Sequence, residues 1–118
     1  MRDADTTIAA LRELIDEFVS ARNWRQFHDA KNLSASIAIE AAELMEHFQW
    51  VRSEDVHAIK ANGDQMNAIR EEIADILAYV LAFANSMDID LAEALKDKII
   101  KNQVKYPVDR FYGKYKSD

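Results

Sequence analysis

The run Asp64-Gln-Met-Asn-Ala-Ile-Arg-Glu-Glu-Ile-Ala-Asp-Ile-Leu-Ala-Tyr-Val-Leu-Ala-Phe-Ala-Asn-Ser-Met87 decides the fold. Met66, Ile69, Ile73, Ile76, Leu77, Val80 and Ala84 recur every three or four residues, the period of one helix face. From Ile76 to Ala84 every residue is apolar or aromatic, so this part of the helix must be covered on nearly all sides. A helix of that kind belongs inside a bundle. The chain has 118 residues, with glycine twice and proline once. A sheet protein of that length needs many more turn residues. The expectation is an all-α helical bundle forming one domain over residues 1–118.

Other helices extend outward from this one. Asp90 followed by Glu93 reads as a cap with an acidic partner. It starts a last helix from Leu91 to about Lys105, stopped by Pro107. Residues 108–118 form a polar tail with Phe111, Tyr112 and Tyr115. On the other side, residues 51–63 read as a short helix capped by Ser53 and stopped at Asn62-Gly63. A long helix from about Leu33 to Trp50 carries a core stripe of Leu33, Ile37, Leu44 and Phe48. Its second apolar side, Ala35, Ala38, Ile39 and Ala42, implies packing on both sides. The first helix runs from about Thr6 to Arg22, with Asp5 or Thr6 as cap. Its stripe is Ile8, Leu11, Leu14, Ile15, Phe18 and Val19. The connector 23–32 concentrates aromatic and cationic residues, among them Trp24, Phe27, His28 and Lys31.

The absence of cysteine rules out disulfides, thiolate metal sites and a cysteine nucleophile. The net charge of −6 argues against duplex nucleic acid as a partner. That charge is uneven. Residues 1–95 hold 18 acids against 8 bases, and residues 96–118 hold 3 acids against 7 bases. The longest uncharged run, Ile76–Met87, is 12 residues, too short to span a bilayer. Met1-Arg-Asp-Ala-Asp leads into no apolar secretory segment. The expectation is a cytoplasmic protein with no membrane partner.

Two acidic pairs stand out. Glu40 and Glu43 lie three apart on one helix, and Glu72 and Asp75 lie three apart on another, so each pair shares a face. Both pairs border the apolar stripes. If the two helices pack antiparallel, four carboxylates converge and need a counter-charge. An all-oxygen set favours Mg²⁺, with Mn²⁺ as a possible substitute. A di-iron bundle would instead want Glu-x-x-His on two helices. His47 lies four after Glu43, and the Asp64–Met87 helix has no histidine. Acidic pairs at this spacing also occur on solvated faces.

On the last helix Leu91, Leu95, Lys98, Asn102 and Lys105 follow one face, with Lys101 beside them. This face is apolar first and cationic later. Lysines and an amide suit phosphate oxygens, although lysines are also favoured near any helix C-terminus. Trp24 and Trp50 flank the segment with the first acidic pair. Indoles stack on nucleobases, and they also fill cores.

These residues carry a family pattern. Asn23-Trp-Arg-Gln-Phe-His-Asp-Ala-Lys-Asn-Leu33, Ile39-Glu-Ala-Ala-Glu-Leu-Met-Glu-His-Phe-Gln-Trp50, Glu71-Glu-Ile-Ala-Asp-Ile-Leu-Ala-Tyr79 and Lys98-Ile-Ile-Lys-Asn-Gln-Val-Lys-Tyr-Pro-Val108 resemble, in order, the motifs of MazG-like nucleotide pyrophosphohydrolases. The resemblance covers about residues 8–116 and points nearest to the small dCTP-hydrolysing members. It implies the all-α nucleoside triphosphate pyrophosphatase fold. It also implies Mg²⁺-dependent hydrolysis of a deoxynucleoside triphosphate to the monophosphate and pyrophosphate. By matching position, Glu40, Glu43, Glu72 and Asp75 would be catalytic metal ligands. Trp24, His28, Trp50 and Tyr79 would face base and sugar. Lys31, Asn32, Lys98, Asn102, Lys105 and Tyr106 would line the phosphates, and Glu43 or Glu46 would be the general base. The family assembles as dimers of dimers, which implies a homotetramer. One departure is Ala30, where the family usually has proline. The alternative reading is a non-enzymatic helical interaction module whose acidic faces serve a partner or solubility.

Overall fold

The computed structural model describes residues 1–116 as helices joined by turns, with no strand among them. The all-α expectation holds. The chain divides into two compact units, Met1–Asp88 and Ile89–Asp118.

In the first unit, α1 spans Ile8–Ala21, α2 Ala30–Glu46 and α3 Gly63–Met87. The main packing is α2 on α3, with α1 also lying on α3. The Thr7 side chain caps α1 by accepting from the Ala10 amide at 3.0 Å, one residue later than expected. At the other end Asn23 takes a left-handed conformation, φ 54°. Its amide donates to the Ser20 carbonyl and the Trp24 amide donates to the Val19 carbonyl, each at 3.0 Å. This paired closure usually brings the residue after the left-handed one against the last helical turn. Trp24 meets Phe18 edge to face, with centroids 5.7 Å apart. A single-turn 3₁₀ segment, Arg25–Phe27, follows.

Three boundaries move from the sequence expectation. Helix α2 starts at Ala30, because Asp29 caps it by accepting from the Asn32 amide at 2.8 Å. It ends at Glu46, which leaves His47, Phe48 and Trp50 in turns. The stretch Ser53–Ala61 is 3₁₀ rather than α and is entered from Arg52 instead of Ser53. Asn62-Gly63 is the expected stop and also a start: the Asn62 amide closes the 3₁₀ stretch by donating to the Ile59 carbonyl at 2.9 Å. Asn62 caps α3 by accepting from the Gln65 amide at 3.1 Å, and Gly63 is its first residue.

The buried residues are Val19 of α1, Leu33 of α2, Ile59 of the 3₁₀ stretch, and Leu81, Ala82 and Ala84 of α3. Full coverage of Ile76–Ala84 is not seen in the single chain: Leu77 is 44% exposed and Ile73 beside it 51%. Helices α1 and α2 cannot cover every side of α3. Arg12 and Asn85 join α1 to α3 reciprocally. Arg12 Nε donates to Asn85 Oδ1 at 2.9 Å, and Asn85 Nδ2 donates to the Arg12 carbonyl at 3.0 Å.

The second unit holds α4, Leu91–Lys105, and the short α5, Val108–Phe111. Asp90 caps α4 as expected, accepting from the Glu93 amide at 2.8 Å. The tail is therefore partly helical, and Phe111 packs edge to face on Tyr106 with centroids 5.1 Å apart. Among the described residues no helix is long and apolar enough to cross a membrane.

Candidate active site

Helix α2 presents Glu40 and Glu43 one turn apart, and α3 brings Glu72 to them. One carboxylate oxygen from each lies within 4.8 Å of the others. Asp75, one turn further along α3, stands outside that tight triad and is exposed. Oε2 of Glu40 and Oε2 of Glu72 are buried and have no hydrogen-bond partner among the described residues. Buried carboxylate oxygens are normally satisfied, so these two are suited to an added cation.

The electrostatics agree. The Glu40 carboxyl is pushed up to about 7 from the usual 4.5, first by its hydrogen bond with Glu43. Burial adds to this, followed by the charges of Glu43, Asp75 and Glu72. Glu72 is also pushed up, first by burial and then by Glu43 and the charge of Asp75. The only opposing influence on Glu72 is His47, whose Nε2 lies 4.0 Å from Glu72 Oε1. The sequence gives His47 no such role, because the approach depends on how α2 and α3 pack. The all-oxygen triad fits a hard divalent cation.

Next to the triad lies an aromatic wall. Trp24 and His28 are 6.5 Å apart by ring centroids, and so are His28 and Tyr79. The three line a cavity of about 260 Å³ together with Phe18 and Asp75. His28 Nδ1 is buried and unpartnered among the described residues. A second cavity of about 380 Å³ shares Ile15, Val19, His28 and Ala82 with the first. Its polar lining includes Asp16, Arg25, Asn85 and Ser86. Asp16 and Arg25 form an ion pair between α1 and the Arg25–Phe27 turn, with Arg25 Nη2 2.7 Å from Asp16 Oδ2. Sequence reasoning missed this pair. The only hint was the concentration of cationic residues in the connector.

The other expected residues have the following surroundings. The Asn32 amide nitrogen donates to the Phe27 carbonyl at 3.1 Å and to Asp29 Oδ2 at 3.3 Å. Asn32 therefore braces the connector with both of its donor hydrogens. Lys31 is exposed in the first turn of α2. Trp50 is 89% exposed and makes no ring contact among the described residues. Glu46 is exposed at the end of α2, outside the triad. Lys98, Asn102 and Lys105 belong to α4 in the second unit, followed by Tyr106 at its C-terminal cap. There Lys105 Nζ lies 5.3 Å from the Tyr106 ring centroid.

Known proteins share this arrangement of elements. The MazG-like family model matches residues 35–117. The chain is 35% identical over 105 residues to dCTP pyrophosphatase 1 of Bos taurus, covering 89% of this chain and 62% of that protein. It is 33% identical over 103 residues to dCTP pyrophosphatase 1 of Homo sapiens, covering 87% of this chain and 61% of that one. The chain thus spans about three fifths of the length of these curated relatives. The crystal structure of a pyrophosphatase from Archaeoglobus fulgidus superposes with a TM-score of 0.78 at 38% identity, covering 91% of this chain and 98% of that one.

Proposed function

The chain belongs to the MazG-like family, and from that premise we propose that it hydrolyses a nucleoside triphosphate, with dCTP first among candidates, to the monophosphate and pyrophosphate. The observation that carries this reading is the triad of Glu40, Glu43 and Glu72, with two buried oxygens that have no hydrogen-bond partner among the described residues. Their roles follow from oxygen chemistry. Glu40, Glu43 and Glu72 would hold Mg²⁺, or Mn²⁺ in its place, with Asp75 adding negative charge beside them. A divalent ion there supplies charge neutralisation and Lewis-acid polarisation of phosphate oxygens.

Glu43 or Glu46 accepts a proton from the attacking water. Water attacks the α-phosphorus, the bond from that phosphorus to the bridging oxygen breaks, and pyrophosphate leaves with the bridging oxygen. Trp24, His28 and Tyr79 line the cavity that takes the nucleoside. Lys98, Lys105 and their neighbours on α4 supply phosphate-binding groups.

The exposed apolar residues support self-association. Ile39, Met45, Ile73 and Leu77 on α2 and α3 are 44–62% exposed, which fits burial against further copies as a homotetramer.

The reaction is tested by malachite-green assay of dCTP hydrolysis with Mg²⁺, with and without inorganic pyrophosphatase. Orthophosphate should appear only when the coupling enzyme is present. Direct release of orthophosphate would sink the reading. Glu40→Ala and Glu72→Ala should each lower turnover by at least about a hundredfold, on the scale of losing a transition-state charge contact.

A further inference from the structure

We propose that the Asp16–Arg25 ion pair reads the hydrogen-bonding edge of the base and selects cytosine over uracil and thymine. The inference rests on the nucleotide site proposed above and names the groups that give it base selectivity.

The two cavities are neighbours that share Ile15, Val19, His28 and Ala82 in their linings. Asp75, whose charge acts on Glu40, lines only the smaller one, and Asp16 and Arg25 line only the larger. Glu72 and Ala82 are ten residues apart on α3, about 15 Å along the helix axis at 1.5 Å per residue. That span suits a nucleotide laid along the helix with its phosphates at the triad.

Of the polar groups lining the larger cavity, Asn85 is engaged at both ends of its amide by Arg12. Asp16, Arg25, Ser86 and the unpartnered His28 Nδ1 remain for a ligand. Arg25 Nη2 donates to Asp16 Oδ1 at 2.8 Å and to Oδ2 at 2.7 Å. That nitrogen holds the pair together. The carboxylate keeps lone pairs to accept with, and the guanidinium keeps further N–H groups to donate.

A cytosine edge presents an amino donor beside a ring-nitrogen acceptor, which complements a carboxylate beside a guanidinium. Uracil and thymine carry a carbonyl oxygen where cytosine has the amino group. Asp16 is an acceptor only and would meet that oxygen with unfavourable charge.

The test uses the full chain with Mg²⁺ and measures kcat/KM for dCTP, dUTP and dTTP. The wild type should favour dCTP. Asp16→Asn keeps the shape and adds a donor that can serve a carbonyl. It should lower the dCTP/dUTP ratio by about tenfold, the scale of one partly exposed charged hydrogen bond. Arg25→Gln should lower the same ratio and serves if the first variant folds poorly, which a thermal melt would reveal. A pair that merely braces the turn would lower all three substrates together, and that result overturns the proposal while leaving the hydrolase reading intact. Equal wild-type use of dCTP and dUTP overturns it too. No hydrolysis of any nucleotide with either Mg²⁺ or Mn²⁺ removes the hydrolase reading and this inference with it.

Discussion

Glu40 shows how crowding of like charges becomes a measurable property. Its carboxyl is held at about 7 in the folded chain, against about 4.5 when free. Between those values the folded state keeps a proton that the unfolded state releases. Stability from this group is therefore greatest below pH 4.5 and falls as pH rises through 7, the reverse of a salt-bridged carboxylate. In thermal melts without added metal, wild-type Tm should fall relative to Glu40→Gln as pH goes from 5 to 8. Mg²⁺ should raise the wild-type Tm more at pH 8 than at pH 6, because the cation needs the ionised carboxylates. A wild-type Tm that tracks the variant across this range would show that the carboxylates do not repel in solution.

At the level of elements, the start of α2 makes a clear case. Ala30 occupies the first helical position, where the amide has no partner within the helix and proline fits well. Asp29 before it is already extended, φ −81° and ψ 166°, as a residue preceding proline must be. Ala30→Pro should therefore stabilise the protein by about 0.4–1 kcal/mol, by restricting the unfolded chain. Chemical denaturation measures this, and a loss of stability would mean that α2 starts elsewhere. With Ala30 at this position, Asp29 and Asn32 brace the connector by hydrogen bonds. The sequence made the long helices and both acidic pairs legible, since each depends on local periodicity. It did not reveal which carboxylates meet, because the separation of Asp75 from the triad and the approach of His47 to Glu72 depend on how α2 and α3 pack. Asn62 was legible as a stop but not as the cap of α3, because asparagine serves equally to end one helix and to start the next. Asn23 carries a left-handed conformation without glycine, a choice that composition hides.

Across the whole molecule, the first unit leaves large apolar side chains open on several helices. Phe18, Leu14 and Ile8 on α1 are 42–49% exposed, and Met45 on α2 is 62% exposed. Scattered exposed apolar residues are ordinary, but open apolar residues on several helices fit the proposed tetramer. Light scattering of the purified chain should give four times 13.5 kDa. A species of 13.5 kDa that still hydrolyses dCTP would refute the assembly and spare the chemistry. The bond between Arg12 and Asn85 has a further consequence. It ties α1 to α3 behind the larger cavity, so that wall is set before any ligand arrives. Arg25, another part of the lining, sits on a single-turn segment tied to α1 by its ion pair with Asp16 and to α2 by Asn32. Adaptation to a misfitting nucleotide is therefore expected at that short segment, like a door hung on a fixed frame. Changes at Arg12 should relax the choice among nucleotides generally, whereas changes at Arg25 should redirect it.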